Sequence, residues 1–201
     1  MQEYKVKSVN DKNNINWEEV DRASVNLFKW TDNYKPETYA QVVLVPGWGL
    51  VCKMTCYEAN PLTTCVEDGQ AVHEDSCMEF FVSFDGKNYM NFEANSDAVK
   101  KICIGPDRGQ RENVWITHPG YFEVSSFRSD DHWSLIYLLP FSGVKELYPD
   151  FDESSMHELR ANFYHMGANP DGEDFYYAMW NEVMTDTPDY HVPEYFGKLV
   201  F

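Results

Sequence analysis

Basic residues are scarce in this chain. Its 201 residues include only 16 Lys and Arg against 33 Asp and Glu, so the formal net charge is -17. Binding to nucleic acid or to an anionic membrane requires clustered Lys and Arg that neutralise phosphates. The composition therefore argues against both partners, whereas neutral sugars and cations remain compatible with it. Acidity that simply keeps the protein soluble explains the charge equally well.

Long apolar runs and cysteine signatures are also missing. No stretch is long and apolar enough to cross a bilayer, and the five cysteines match no zinc-ligand spacing. Cys52 and Cys56 share the apolar face of a predicted strand, which indicates reduced thiols in a core. The N-terminus has no apolar signal region, which predicts a cytoplasmic protein; a secreted protein trimmed at this end would look the same.

Short strands separated by turn signals fill the rest of the chain. Alternating apolar residues outside the central hairpin predict strands over residues 38–45, 50–58, 99–104, 113–118, 121–128, 133–141, 157–166, 174–180 and 197–201. Helical turns are predicted only over 17–23 and 142–148. This pattern is typical of an all-β antiparallel β-sandwich with one or two short helical turns, forming a single domain over residues 1–201.

A β-hairpin is predicted where Asp-Gly-Lys separates two runs of alternating apolar residues. Pairing the apolar rows puts Phe80 opposite Phe92. That register places Glu79 across from Glu93 on the other face of the hairpin, with Asn91 beside them. Like charges that face each other across a ladder are destabilising, so we expect a hydroxyl-rich ligand, a cation or a nearby Arg at this pair.

Four segments, in this order, resemble the carbohydrate-binding modules of family 9 and the wider DOMON-like group, above all its stand-alone family 9-like members. They are the hairpin strands DSCMEFF (75–81) and YMNFEAN (89–95), the pair Ile104-Gly105 with Arg108 and Arg111, the run WSLIYLLPF (133–141), and the ending HVPEYFG (191–197). Together they cover nearly the whole chain. The resemblance implies a non-catalytic β-sandwich that binds a carbohydrate in a cleft.

The resemblance also implies which residues contact the sugar. In family 9 modules that bind glycan reducing ends, two tryptophans sandwich the sugar. This chain offers the loop around His73 near the first position, Tyr190 at the second, and Glu93 where those modules carry an Arg. Trp180 is expected mainly to pack against the sandwich, with pocket lining as the alternative. The predicted carbohydrate contacts are His73, Glu79, Asn91, Glu93, Arg108, Arg111, Trp180 and Tyr190.

Three other functions remain compatible with the sequence. Glu79 and Glu93 could serve a glycoside hydrolase, but nearby arginines are expected to keep both ionised, whereas catalysis requires one raised pKa. Some DOMON relatives hold haem between Met and His side chains, which this chain offers at Met78, Met90, His73 and His165 without an attachment motif. The third alternative is a protein-interaction scaffold of the same fold.

No cofactor is predicted. Structural calcium is considered because some family members bind it, and because residues 129–131 and 171–174 are rich in oxygen ligands. Neither loop has the ligand spacing of an EF-hand. We therefore assign no metal ligand from the sequence. Arg108 and Arg111 are expected to reach either the sugar or the Glu79–Glu93 pair, where a salt bridge would relieve the repulsion.

Overall fold

Two β-sheets dominate a computed structural model that describes residues 1–31, 34–168 and 175–201. In chain order the strands are β1 Glu3–Lys5, β2 Lys7–Ser8, β3 Ala23–Ser24, β4 Leu27–Phe28, β5 Thr38–Val45, β6 Gly49–Cys56, β7 Cys77–Ser83, β8 Tyr89–Asn95, β9 Lys100–Gly105, β10 Glu112–Asn113, β11 Glu123–Arg128, β12 Trp133–Pro140, β13 Glu158–Ala168, β14 Phe175–Met179 and β15 Gly197–Val200. The helices are α1 Val114–Thr117 and α2 Phe141–Leu147, and single 3-10 turns lie at Trp17–Glu19, Val72–Glu74, Glu153–Ser155 and Pro193–Tyr195. None of the described helices is long and apolar enough to span a membrane.

The two sheets differ in size and share an antiparallel pattern. The larger sheet has the order β1-β15-β13-β7-β8-β9-β10, and β14 pairs with both β13 and β4. The smaller sheet has the order β11-β12-β6-β5-β2, and β3 pairs with β5. Among the strands of the described residues, only the short β1 and β2 pair in parallel, with β15 and β5 respectively. The predicted antiparallel β-sandwich is confirmed.

The core lies between the sheets. From the larger sheet, Phe80 stacks on Phe163 with ring centroids 5.2 Å apart and on Phe92 at 6.1 Å. The smaller sheet contributes the alternate residues of β5, β6 and β12 to the same cluster. Cys52 and Cys56 belong to it as buried free thiols, as the sequence predicts.

The predicted hairpin is present with the predicted register. β7 and β8 pair antiparallel, with Phe80 opposite Phe92 and Glu79 opposite Glu93. The connecting turn contains Gly86 at φ +69°, a left-handed conformation that glycine adopts without strain. Because Phe80 and Phe92 face the core, the two glutamates project from the opposite side of the larger sheet.

One predicted strand is wrong. Residues 113–118 form the end of β10 and the helix α1 instead, with the His118 amide donating to the Val114 carbonyl at 2.8 Å. A short apolar run does not separate helix from strand by periodicity alone, and here only Val114 of the helix is buried. The predicted helical turn over 142–148 corresponds to α2, and the strand over 174–180 corresponds to β14, except that residue 174 lies outside the described residues.

Candidate functional site

A pocket of about 260 Å³ opens on the outer face of the larger sheet, away from the smaller sheet. Six of the eight predicted contact residues line it: His73, Glu79, Glu93, Arg108, Arg111 and Tyr190. Its floor comes from three adjacent strands, because Glu79 on β7 pairs with Glu93 on β8, and Glu93 pairs with Lys101 on β9. The sheet register thus places three charged side chains in one row.

The segment 181–196 packs on the same outer face, where Val183, Tyr190 and Phe196 join Phe81 and Tyr164 in a buried cluster. Asn162 on β13 anchors it, since its amide donates to the Asn181 carbonyl at 2.9 Å and its Oδ1 accepts from the Asn181 amide at 2.9 Å. Further along, the Tyr164 hydroxyl donates to the Tyr190 carbonyl at 3.2 Å. These bonds hold Tyr190 and His191 against the strands that carry the glutamates.

The two glutamates are almost completely buried, with exposed fractions of 3% for Glu79 and 4% for Glu93. Burial raises the pKa of Glu79 well above its ordinary value, and the negative charge of Glu93 raises it further. Burial also raises the pKa of Glu93, although Lys101 and Arg111 oppose that shift. Asn91 donates to Glu93 Oε1 at 2.6 Å, which stabilises the anion there. Glu79 is therefore the carboxyl that holds its proton to the higher pH, which departs from the expectation that the arginines keep both groups ionised.

Arg111 connects the groups around the anion. Its Nη1 lies 3.7 Å from Glu93 Oε1 and donates to Asn91 Oδ1 at 3.3 Å. The same atom lies 3.2 Å from Nε2 of His191. Arg108 does not reach the glutamates, because its Nη2 pairs with Asp189 Oδ1 at 3.0 Å on the rim. The predicted salt bridge to the pair is thus made by Arg111 alone.

Asn91 supports the pocket without lining it. The residue is fully buried, and both ends of its amide are used, by Glu93 Oε1 and by Arg111. The structure therefore corrects its predicted role as a sugar contact: its hydrogen bonds orient two side chains that do line the pocket.

His191 is a pocket residue for which the sequence indicated no role. Its ring packs on Phe81 with centroids 5.0 Å apart, and its Nδ1 lies 2.9 Å from the Tyr89 hydroxyl. Burial, together with the nearby positive charge of Arg111, lowers the pKa of His191 to about 2. The ring is therefore neutral, and its Nδ1 shares one hydrogen bond with the Tyr89 hydroxyl.

Tyr190 lines the pocket but exposes only 5% of its surface. Its ring stacks on Tyr164 with centroids 3.9 Å apart and planes inclined by 12°, and its hydroxyl donates to the Ala178 carbonyl at 3.1 Å. Tyr177, which the sequence did not indicate, is more exposed and also lines the pocket. It stands edge-on against Trp30 at 5.9 Å. Tyr177 therefore offers more aromatic surface to a ligand than Tyr190 does.

Trp180 is not a pocket residue, which corrects the sequence prediction. It exposes 3% of its surface and packs in the core on Phe163, with centroids 5.3 Å apart. Gly197 permits this position, because a β-carbon there would lie 2.5 Å from the indole ring. Only the expected packing role of Trp180 agrees with the structure.

His73 reaches the pocket on a loop that Asp75 fixes. The carboxylate accepts from the Thr64 amide at 2.8 Å, from the Cys65 amide at 3.0 Å and from Asn95 Nδ2 at 2.9 Å. Burial raises the pKa of Asp75, but these hydrogen bonds outweigh it and hold the pKa below the ordinary value. An ionised Asp75 therefore ties the long loop to the end of β8 and positions the 3-10 turn that carries His73.

Cys56, Glu58 and His165, all buried, place potential metal-ligand atoms within 4.8 Å of one another. The His165 ring is bonded at both nitrogens, to the Thr38 hydroxyl and to the Tyr176 hydroxyl, each at 2.8 Å. Burial lowers its pKa to about 3, so the ring is neutral. These bonds account for the cluster as a hydrogen-bonded network, and we assign no metal ligand there. The loop 171–174 considered for calcium lies outside the described residues.

Comparisons with known proteins bear on the whole chain. The family model described as carbohydrate-binding family 9 matches residues 5–201. A comparison with curated proteins gives no match. The crystal structure of a candidate carbohydrate-binding protein from Bacteroides uniformis is 23% identical, with a TM-score of 0.83 over 100% of this chain and 99% of that chain.

Two similar structures are of family 9 carbohydrate-binding modules from Caldicellulosiruptor kristjanssonii. The complex with glucose is 11% identical, with a TM-score of 0.70 over 99% of this chain and 95% of that chain. The complex with cellotriose is 9% identical, with a TM-score of 0.68 over 99% of this chain and 93% of that chain. At these identities the likeness shows a common fold.

Proposed function

The chain belongs to carbohydrate-binding family 9, and we propose that it binds a mono- or oligosaccharide, without cleaving it, in the pocket on the outer face of the larger sheet. One observation carries the proposal: the pocket combines an aromatic wall with planar polar groups. Tyr177 and Tyr190 offer ring surface for the C–H patches of a sugar, while Arg111 and Glu93 offer a guanidinium and a carboxylate for its hydroxyls.

The size of the pocket favours a small ligand or the end of a chain. Its volume of about 260 Å³ is just below the roughly 300 Å³ at which pockets for drug-sized ligands begin. Arg108 and Asp189 form an ion pair at its rim. A single sugar unit would therefore occupy the pocket, and further units would extend past the rim into solvent.

Hydrolysis is the alternative that the electrostatics favour most, because Glu79 has the raised pKa that a general acid requires. The arrangement of the carboxyl groups opposes it. Glu79 and Glu93 project side by side from neighbouring strands of the floor, whereas the two carboxyl groups of a glycosidase flank the scissile bond. The family also consists of binding modules, so we infer that the chain is not an enzyme.

The haem alternative finds no support among the described residues. Met78 and Met90 lie in the core between the sheets, and both ring nitrogens of His165 are hydrogen-bonded. A role as a protein-interaction scaffold would not explain the charged pocket. It becomes the best explanation if no sugar binds.

Isothermal titration of the purified protein with neutral and acidic mono- and disaccharides tests the proposal. We expect one sugar class to bind, and Arg111→Met to weaken that binding by at least about tenfold, since it removes a charged donor from the pocket. Arg128→Met is the matched control, because Arg128 pairs with Asp97 at the surface outside the pocket. Binding of no sugar, or equal affinity in Arg111→Met, would contradict the proposal, and release of a shortened sugar would replace it with hydrolysis.

A further inference from the structure

Two carboxylates that line the pocket already accept hydrogen bonds from the protein. Asp189 Oδ1 accepts from the His191 amide at 2.9 Å and pairs with Arg108. Glu93 Oε1 accepts from Asn91 and faces Arg111. A ligand that offers only donors would therefore compete with bonds that the protein already makes.

Two cationic donors are open by contrast. Lys101 lines the pocket and lies opposite Glu93 in the β8–β9 ladder, yet within the described ranges its Nζ has neither a hydrogen bond nor an ion pair within 4.0 Å. The hydrogen bonds of Arg111 use Nε and Nη1, and Nη2 has no partner among the described residues. The Arg111 side chain as a whole exposes 14% of its surface.

The charges of the side chains that line the pocket also favour an anionic ligand. Lys101, Arg108 and Arg111 contribute three positive charges to the lining. Against them stand Asp189 and the Glu79–Glu93 pair, in which burial opposes the ionisation of both carboxyl groups. The lining is therefore not net negative, although the chain as a whole carries -17, and in a partly buried setting an anion is bound more strongly than at an exposed surface.

We propose that the pocket selects a sugar that carries a carboxylate, a uronic acid rather than its neutral counterpart, and that Lys101 and Nη2 of Arg111 bind this carboxylate. The inference rests on the proposed sugar binding and specifies its ligand. A carboxylate offers two coplanar oxygens, which suit one guanidinium nitrogen and one ammonium, and charge-assisted bonds of this kind are shorter and stronger than those to a neutral hydroxyl.

The test compares matched sugars at constant ionic strength. Glucose and glucuronate, then galactose and galacturonate, are titrated into wild type, Lys101→Met and Lys198→Met. Lys198 pairs with Glu158 on a surface outside the pocket, so its variant controls for the loss of one positive charge.

Sodium acetate controls for binding of a bare anion, and glucose 6-phosphate controls for selection of any anionic sugar. Melting curves establish that each variant is folded, and Lys101→Gln provides a second, polar replacement.

We expect at least one uronate to bind at least about tenfold more tightly than its neutral partner, and Lys101→Met to remove most of that preference while Lys198→Met retains it. Equal or tighter binding of the neutral sugars, or an unchanged preference in Lys101→Met, overturns the inference and leaves sugar binding intact. Tighter binding of glucose 6-phosphate than of glucuronate also overturns it, as does binding of acetate at the affinity of the uronate. If neither neutral nor acidic sugars bind, both proposals fail.

Discussion

Glu79 and Glu93 face each other across the β7–β8 ladder, and each exposes less than 5% of its surface. Ionising both carboxyl groups in such a setting costs free energy, because each anion loses hydration and repels the other. Asn91, Arg111 and Lys101 favour the charge on Glu93. The pair is therefore asymmetric: Glu79 holds its proton to higher pH than Glu93 does.

The first prediction concerns the pH dependence of stability. The unfolded chain ionises Glu79 near its ordinary pKa of 4.5, whereas the folded protein keeps the proton to higher pH. The folded state then binds more protons, so its stability falls as pH rises above about 4.5 towards the raised pKa. Glu79→Gln retains a neutral group at every pH. We expect the variant to be more stable than wild type at pH 8 and to lose less stability between pH 5 and pH 8.

Urea unfolding at several pH values measures this difference, with Glu158→Gln as the control because Glu158 is exposed at the surface. The control curve should follow that of wild type. If the curve of Glu79→Gln also runs parallel to wild type across this range, Glu79 is ionised in the folded protein and the asymmetry is wrong.

The second prediction separates the two tyrosines of the aromatic wall. Because Tyr190 stacks on Tyr164, Tyr190→Ala should destabilise the fold by about 3–5 kcal/mol. Tyr190→Phe keeps the stack and should cost only the hydroxyl bond, about 0.5–1.5 kcal/mol. Affinity for the sugar should be unchanged in the Phe variant. Thermal unfolding and calorimetric titration of the same samples provide both values.

Tyr177→Ala should weaken sugar binding more than it weakens the fold, which is the reverse of the effect expected for Tyr190→Ala. Tyr177 is partly exposed at the pocket, so its removal should weaken sugar binding by about tenfold, or 1.4 kcal/mol, with a smaller loss of stability than Tyr190→Ala. Unchanged affinity in Tyr177→Ala would show that the ligand does not stack on this ring.

The third prediction concerns the loop that carries His73. Asp75→Ala leaves the amides of Thr64 and Cys65 without their acceptor, which should destabilise the protein by at least about 2 kcal/mol. The loop between β6 and β7 should also be cleaved faster in limited proteolysis. Asp68→Asn, a change in the same loop at a partly exposed pair with Lys100, is the control. Cleavage at the wild-type rate in Asp75→Ala would mean that other contacts hold the loop.

The fourth prediction follows from the core position of Trp180. Trp180→Phe should lower the free energy of unfolding by roughly 1–3 kcal/mol and leave sugar affinity within the error of the titration, because the indole packs on Phe163 and Gly197 rather than on a ligand. A loss of affinity without a loss of stability would return Trp180 to the binding site.

Local pattern predicted the hairpin well and the helix α1 poorly, for a physical reason. In the hairpin, two apolar rows must meet on the core side, so the pairing of Phe80 with Phe92 leaves only one register for Glu79 and Glu93. At residues 114–117 the apolar run is short, and periodicity does not distinguish the two structures. Contacts with the rest of the chain determine that this run forms a helix, and of its four residues only Val114 is buried.

Six of the predicted contact residues line the pocket, and Lys101 also lines it but was not among the predicted residues. Extending the hairpin register by one strand would have indicated Lys101, since β9 pairs with β8 so that Lys101 meets Glu93. His191 and Tyr177 do not follow from local pattern. The place of Tyr177 depends on the pairing of β14 with β13, in which it lies opposite Met166. The place of His191 depends on how the segment 181–196 folds back over the sheet, through contacts such as that between Asn162 and Asn181, which are distant in the sequence.

A ¹⁵N NMR titration of the labelled protein with the tightest-binding sugar shows directly whether the sugar occupies this pocket. We expect shifts of the Arg111 Nε–H signal, of the His191 backbone amide and of the Trp30 indole, which packs against Tyr177. The Trp180 indole should not move, because it lies in the core. Shifts confined to residues outside the pocket, or no shift at saturating sugar, would contradict the account.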